Sequence, residues 1–249
     1  MLKLTVTDEA EKIADITENI SGVKAECGKK HITFCYDDCS AERLFNELSN
    51  ALIYIIEEKY KKPLIKMMAR THGRVFTDDE TDSIAKYTKD FGTQLLYSEI
   101  QNYLKENNNI SVKGLVNFRL QLYKEALLRE SLTVADGMEN IRILREYIAS
   151  VPPGGRINVI INEFGGITIK DGKGKDITGR CIMEIGADSI PECFSFEELL
   201  LSALIIKAPS EIILHQKEVS GRTGFTKILP EIFPGKTVLC TGCSLCDKC

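Results

Sequence analysis

The residues best suited to chemistry stand in the last ten positions of the chain, which read CTGCSLCDKC. Cys240, Cys243, Cys246 and Cys249 follow one another with two residues between each pair. A C-x2-C step lets two thiolates turn back on one metal ion, and thiolates bind both structural zinc and iron–sulfur clusters. The spacing therefore predicts a metal site formed by these four cysteines, with zinc or an iron–sulfur cluster as the cofactor.

Several interpretations of this cysteine-rich tail (240–249) stay open. Its consecutive steps are closer to the C-x2-C-x2-C run of an iron–sulfur protein than to two separate zinc knuckles. Cys181 and Cys193, which belong to an insert at 179–193, could complete a site that the tail begins. Alternatively the thiols take part in disulfide exchange, or they stay reduced without a metal. Because Cys240 ends a predicted strand, we expect one anchored thiol and a tail that closes only around a metal.

A second group of thiols lies near the start of the chain, at Cys27, Cys35 and Cys39, with His31 between them. On two strands joined by a turn, Cys27 and Cys35 could face each other as a pair of metal ligands. Free cysteines are also common as small core residues. The core interpretation is the one we favour for this group.

A basic segment at 59–74, KYKKPLIKMMARTHGR, holds six basic residues and no acidic one. Lys62, Lys66 and Arg70 recur at helical spacing and would form one basic face. Such a face could contact phosphate, an anionic lipid headgroup at a membrane surface, or an acidic protein partner. The alternative is an ordinary solvated helix face.

Two further sets of residues could bind a ligand or partner. The segment SGRTGFT at 220–226 is predicted to link a strand to a helix, so that Ser220, Arg222 and Thr223 could bind an anion. Arg119 stands among apolar residues of a predicted helix. Its guanidinium must reach solvent or a carboxylate, because an unpaired buried charge is costly.

The composition is that of an ordinary globular protein and narrows the class of partner. Of 249 residues, 43% are hydrophobic and 27% charged, and a net charge of −4 argues against a nucleic-acid partner. The opening residues lack the apolar segment of a secretory signal, and the apolar stretch at 199–208 is too short for a bilayer span. We therefore expect a cytoplasmic protein without a transmembrane segment. Its nine cysteines would be reduced or metal-bound rather than paired in disulfides.

The elements that must position these residues divide the chain into four parts. Residues 1–38 alternate as a β-α-β-β unit, and 39–150 carry the apolar periodicity of helices. Within the helical part, the capping box that begins at Thr77 predicts a long helix to about Lys105.

The prolines and glycines of VPPGG at 151–155 predict the clearest boundary in the chain. Residues 156–239 follow as a β-β-α-β-α-β unit, whose first helix begins at the capping box of Ser195 and Glu198. The tail at 240–249 comes last. The predicted fold class is α+β.

Five segments of the second half carry a family resemblance. They read GLVNFRLQLY (114–123), ENIRILREYI (139–148), INVIINEFGGITIKDGKGKDI (157–177), FEELLLSALIIKAPSEIILH (196–215) and KILPEIFPGKTVLC (227–240). Their residues and order resemble the YtxC family of sporulation proteins from endospore-forming bacteria, with the insert at 179–193 as a departure. The resemblance implies a soluble, sporulation-associated protein, and it provides no catalytic residues to transfer.

Together these features favour a non-enzymatic, sporulation-associated cytosolic protein that acts on a protein partner and carries a metal-binding tail. No catalytic residue is predicted. A second hypothesis is an iron–sulfur or thiol redox protein, and a third is an anion-binding module that uses the loop at 220–226.

Overall fold

The computed structural model describes residues 1–17, 20–185, 194–216 and 224–246. The chain divides into two compact units, Met1–Asp136 and Gly137–Cys249. Helices and two mixed four-stranded sheets make up these units, which confirms the predicted α+β class.

The first unit begins with the predicted β-α-β-β segment, in which Leu4, Val6, Ile32 and Phe34 alternate onto the buried face of the sheet. A short strand from the middle of the chain adds to the sheet in parallel to the first strand, and this strand was not predicted. The order of the strands is β2-β3-β1-β4. The elements are β1 (Leu2–Thr7), α1 (Ala10–Ile16), β2 (Lys24–Cys27), β3 (His31–Tyr36) and β4 (Asn109–Ser111).

The helical part differs from its prediction at one point. The capping box of Thr77 and Glu80 is confirmed, but its helix ends at Tyr87 and a new helix begins after Gly92. Gly92 has a positive φ of 70°, a conformation that glycine adopts without strain. The prediction of one long helix to about Lys105 is therefore wrong, because two helices cover this range. The elements are α2 (Asp38–Ile55), a π-helical turn (Ile56–Tyr60), α3 (Lys61–Thr71), α4 (Asp78–Tyr87), α5 (Thr93–Glu106), α6 (Val112–Phe118) and α7 (Gln121–Ser150).

Helix α7 ends at Ser150, directly before VPPGG, as the prolines and glycines predict. The division between the two units falls inside this helix, at Gly137. In its second half, Ile148 belongs to the core of the second unit, and the partly buried Ile141 and Leu144 pack against that core.

The second unit contains a sheet in the order β6-β5-β7-β8, in which β5, β7 and β8 run parallel. Its order of elements matches the prediction except for one additional short helix, Thr178–Glu184, in the region of the insert. The capping box at Ser195 is confirmed. The elements are β5 (Ile157–Ile161), β6 (Ile167–Asp171), α8 (Thr178–Glu184), α9 (Phe196–Lys207), β7 (Ile212–His215), α10 (Gly224–Ile232) and β8 (Thr237–Leu239).

The two faces of this sheet carry different residues. Val159 and Leu214 belong to the hydrophobic core cluster of the unit. Asn158 and His215 point to the opposite face, because side chains alternate along a strand, and both are buried although they are polar. Buried polar groups require hydrogen-bond partners, so this face must supply them.

Candidate metal centre

His215 is the last residue of β7 and the centre of a group of ligating side chains. Its Nδ1 atom lies 3.4 Å from Cys243 Sγ and 3.4 Å from Cys246 Sγ. The two sulfurs lie 3.9 Å apart. With Cys240 included, the four ligand atoms all lie within 4.8 Å of one another, close enough to hold a metal ion. We call His215, Cys240, Cys243 and Cys246 the His–Cys cluster.

The backbone brings the cysteines to His215 in two steps. The Cys240 N–H donates to Leu214 O at 2.9 Å, so the chain after β8 continues beside β7 and the first thiol is anchored, as predicted. Gly242 then adopts a φ of 128°, a conformation that L side chains rarely adopt. The tail thereby comes back toward the end of β7.

A tight turn orients the next two thiols. The Cys246 N–H donates to Cys243 O at 2.9 Å, and the Leu245 N–H donates to Cys243 Sγ at 3.4 Å. Such N–H groups directed at sulfur favour the thiolate. The C-x2-C spacing therefore acts as the sequence predicts, by turning two sulfurs toward one point.

Asn158 determines which nitrogen of His215 faces the thiols. The Asn158 amide nitrogen donates to Asp171 O at 3.0 Å, which directs its Oδ1 to His215 Nε2 at 3.1 Å. Because Oδ1 only accepts hydrogen bonds, Nε2 carries the proton and Nδ1 keeps its lone pair. A fixed ring with a free nitrogen is the arrangement found in metal-ligating histidines.

The electrostatics of the cluster agree with a metal-binding role for the imidazole. Burial lowers the pKa of His215, so the neutral form that binds metals is favoured. Backbone N–H groups, first that of Cys246, lower the pKa of Cys243. Burial raises the pKa of Cys246 to about 11. A bound cation would supply the positive charge that a second and third thiolate need here.

The distances among His215, Cys243 and Cys246 fit three ligands of one tetrahedral ion, and the Cys240 sulfur lies within 4.8 Å of their ligand atoms. Zinc at about 2.3 Å from sulfur and about 2.0–2.1 Å from nitrogen places two sulfurs about 3.8 Å apart and sulfur and nitrogen about 3.6 Å apart. The cluster has 3.9 Å between the sulfurs of Cys243 and Cys246, and 3.4 Å from each to the nitrogen of His215. Three thiols and an imidazole are also a donor set that zinc uses.

The structure brings together three of the four predicted ligands and adds a residue that sequence reasoning missed. Cys249 lies outside the described residues, as does Cys193. His215 had no ligand motif around it. A signal was nevertheless present, since His215 and Cys240 both end predicted strands, and parallel neighbours would bring these ends together. Cys181 is buried in the core, where burial raises its pKa.

The thiols near the start of the chain do not form a ligand pair. The strand register places Cys27 opposite Ile32 and Cys35 opposite Lys24, so the two cysteines are not cross-strand partners. Cys35 is a buried core residue, which agrees with the favoured interpretation. Cys27 and Cys39 are exposed.

The basic segment at 59–74 lies largely on α3, where acidic residues of α4 meet it. Lys62 forms an ion pair with Asp82 at 2.7 Å, and Lys66 forms one with Asp78. Arg70 is exposed on the same helix. The charge of the predicted contact face is thus partly neutralised within the protein.

The structure does not describe the residues predicted to bind an anion, but it describes the surroundings of Arg119. Ser220, Arg222 and Thr223 lie outside the described residues. The guanidinium of Arg119 is exposed and lies 5.8 Å from the centre of the Tyr103 ring, a cation–π contact. Among the described residues no helix combines the length and the apolar character that a bilayer span requires.

The fold and the cluster thus define an α+β protein with a candidate metal centre in its second unit. The sequence model of the YtxC-like family matches residues 46–238, more than half of the chain, so the chain belongs to that family. The match includes Asn158 and His215 and ends before Cys240. No curated protein and no solved structure matches the chain.

Proposed function

We propose that this YtxC-like protein is a non-enzymatic, cytosolic, sporulation-associated protein whose second unit is closed by a structural zinc ion. His215, Cys240, Cys243 and Cys246 are the ligands. The observation that carries the zinc proposal is the convergence of three thiols on the free Nδ1 of an imidazole whose Nε2 is held by Asn158.

The spacing of the ligand atoms favours a single ion over an iron–sulfur cluster. Thiolates that bind different iron atoms of a cluster spread further apart than thiolates that share one ion. The 3.9 Å between Cys243 Sγ and Cys246 Sγ corresponds to two ligands of one tetrahedral centre. The imidazole ligand points the same way, because cysteines alone hold most iron–sulfur clusters.

The number of protein ligands favours a structural role over a catalytic one. Catalytic zinc has three protein ligands and an open position for water or substrate, whereas structural zinc has four protein ligands. Here four side chains fill the coordination sphere. The ion would connect the last residue of β7 to the segment after β8, and so hold residues 240–246 at the end of the sheet where His215 lies.

The family supports a role in sporulation, and one segment within the family match supports a protein partner. In GLVNFRLQLY, Leu120 and Tyr123 are buried, whereas Phe118 is 74% and Leu122 59% exposed. Aromatic residues and arginine, here Phe118 and Arg119, are enriched at protein contact surfaces. The protein would therefore act by binding another protein through this part of the first unit.

Metal analysis after anaerobic purification tests the zinc proposal. We expect colourless protein with about one zinc ion per chain, as four-ligand structural sites hold. The variants His215→Ala and Cys243→Ser should lose the ion. The matched variants His72→Ala and Cys27→Ser, which replace exposed residues of the first unit, should keep it.

The Cys249→Ser variant separates the two possible ligand sets. It should keep its zinc if His215 is the fourth ligand. Loss of zinc in this variant, with zinc retained in His215→Ala, would assign the site to four cysteines. Brown protein that contains iron and sulfide would show that the site holds an iron–sulfur cluster instead of zinc. Protein without metal would contradict the proposal.

The role in sporulation has its own test. In an endospore-forming host that carries the gene, we expect fewer heat-resistant spores with His215→Ala than with His72→Ala. Equal spore counts, at equal protein levels in the cell, would contradict a role of the metal centre in sporulation.

A further inference from the structure

We propose that the His–Cys cluster is redox-responsive: a hydroperoxide oxidises Cys243 and Cys246 to a disulfide, and the loss of these two ligands releases the metal ion. This inference rests on the proposed zinc site. It adds a regulation of the site that a purely structural ion would lack.

The cluster presents its ligands to solvent unequally. His215 is 2% exposed at the end of β7, Cys240 and Cys246 are partly buried, and Cys243 is exposed. A small oxidant in solution therefore meets the Cys243 sulfur first. The core thiols Cys35 and Cys181 are buried and thus protected.

The two reacting sulfurs are already neighbours. Cys243 Sγ and Cys246 Sγ lie 3.9 Å apart, and the hydrogen bond from the Cys246 N–H to Cys243 O holds them in one turn. Formation of the disulfide needs only a short approach of the side chains, without a rearrangement of the sheet. C-x2-C pairs commonly alternate between dithiol and disulfide in this way.

The reaction balances with hydrogen peroxide as the oxidant. The Cys243 thiolate attacks one peroxide oxygen, the O–O bond breaks, and hydroxide leaves and takes up a proton to give water and a sulfenic acid. The Cys246 thiolate then attacks the Cys243 sulfur. An S–S bond forms, the S–O bond breaks, and the second hydroxide takes up a proton. Two thiolates are oxidised by two electrons, and one peroxide is reduced to two waters.

The consequence is local and reversible. Of the four ligands in the His–Cys cluster, a disulfide leaves His215 and Cys240, and two ligands are too few to hold zinc tightly. The hydrogen bond from the Cys240 N–H to Leu214 O keeps that end of the tail attached to β7. Cys243 and Cys246 then no longer share a metal ion with His215. A thiol reductant with zinc would restore the cluster.

Peroxide treatment of the zinc-loaded full chain tests the inference. We expect release of zinc to a chromogenic chelator, together with a peptide mass that shows Cys243 linked to Cys246. Dithiothreitol and zinc should reverse both changes. The double variant Cys27→Ser with Cys39→Ser, which removes the exposed thiols of the first unit, should release zinc like the wild type.

A ligand-preserving variant makes the test specific for Cys243. Cys243→His offers zinc an imidazole in place of the exposed thiolate, and we expect release at least about tenfold slower, since only thiolates follow this chemistry. If this variant binds no zinc, the linked peptide of the wild type and its reversal decide the question alone.

The outcomes separate this inference from the proposed function. Zinc that stays bound under peroxide, or a disulfide that joins Cys246 to Cys249 instead, would overturn the inference and leave the structural site in place. A chain that holds no zinc before treatment would overturn the proposed function itself.

Discussion

At the scale of single residues, His215 and Asn158 are the most informative pair in the molecule. Neither belongs to a recognisable motif, yet both are buried polar residues on one face of a sheet, and each satisfies the other. The pair explains why the imidazole presents Nδ1 and not Nε2 to the thiols. A metal ligand whose ring is fixed by a second residue binds more tightly than one that is free to rotate.

Asn158 can be tested apart from the ligands themselves. In Asn158→Ala the His215 ring loses its hydrogen-bond acceptor. Zinc affinity should therefore fall about 10–100-fold, the usual effect of removing a residue that hydrogen-bonds a metal ligand. Asn158→Asp keeps an acceptor oxygen and should retain most of the affinity. Competition with a chelator of known affinity measures both. Equal affinities for wild type and Asn158→Ala would show that Asn158 does not position the imidazole.

A buried charge, Lys61, stabilises the first unit. Its Nζ donates to Glu57 at 2.6 Å and to Thr88 O at 2.6 Å, and the Tyr123 hydroxyl donates to Glu57 at 3.0 Å. Replacing Lys61 leaves the partly buried carboxylate of Glu57, 20% exposed, without its cation. Lys61→Met should therefore lower the free energy of unfolding by about 3–5 kcal/mol.

Lys62 provides the matched control for Lys61. It is exposed and pairs with exposed Asp82, so Lys62→Met should cost about 0–1 kcal/mol. Denaturant unfolding monitored on the first unit distinguishes the two variants. Similar losses in both would mean that the contacts of Lys61 are not a stabilising network.

At the scale of elements, the metal centre depends on how the parallel strands end. Strands β7 and β8 pair with Leu214 opposite Leu239, so His215 and Cys240 leave the sheet side by side. Without metal, three thiols and an imidazole remain crowded at this position, next to residues 241–244, which are exposed. Zinc should therefore order residues 240–246 and protect the ends of both strands.

Hydrogen exchange measured with and without zinc tests this dependence. Removal of the ion by a chelator should speed amide exchange at Ile212–His215 and Thr237–Leu239. Exchange in β1 and β3 of the first unit should stay unchanged, since their sheet contains no residue of the cluster. A uniform increase across both sheets, or none at the ends of β7 and β8, would contradict a local structural role.

Elements that depend on residues close together in the sequence could be predicted. Features that depend on the pairing of strands distant in the sequence could not. The capping boxes at Thr77 and Ser195 depend on residues three apart, so the sequence suffices for them. The break at Gly92 was missed because the apolar periodicity continues on both sides of it. His215 was missed because 25 positions separate it from Cys240 and only the order of strands brings them together.

At the scale of the whole molecule, the two units have different parts in the proposed function. The first carries the exposed Phe118 and Leu122, which lie within the family match. The second carries the His–Cys cluster, of which His215 lies inside the family match and the cysteines lie beyond it. Partner binding and metal binding should therefore respond to different substitutions.

Substitutions at the exposed residues of the first unit should leave metal binding by the second unit unchanged, and the reverse should also hold. Phe118→Ala with Leu122→Ala should leave zinc content at the wild-type level, because neither side chain contributes to the cluster. His215→Ala should leave the unfolding of the first unit unchanged. Metal analysis and unfolding curves of both variants measure this, and loss of zinc in the Phe118 and Leu122 variant would contradict independent roles.

X-ray absorption at the zinc edge of anaerobically purified protein tests the central claim most directly, because it reads the identity of the ligands. A site formed by His215 and three cysteines predicts three sulfurs at about 2.3 Å and one imidazole nitrogen at about 2.0–2.1 Å. Four sulfurs without an imidazole, or protein that contains no zinc, would contradict it.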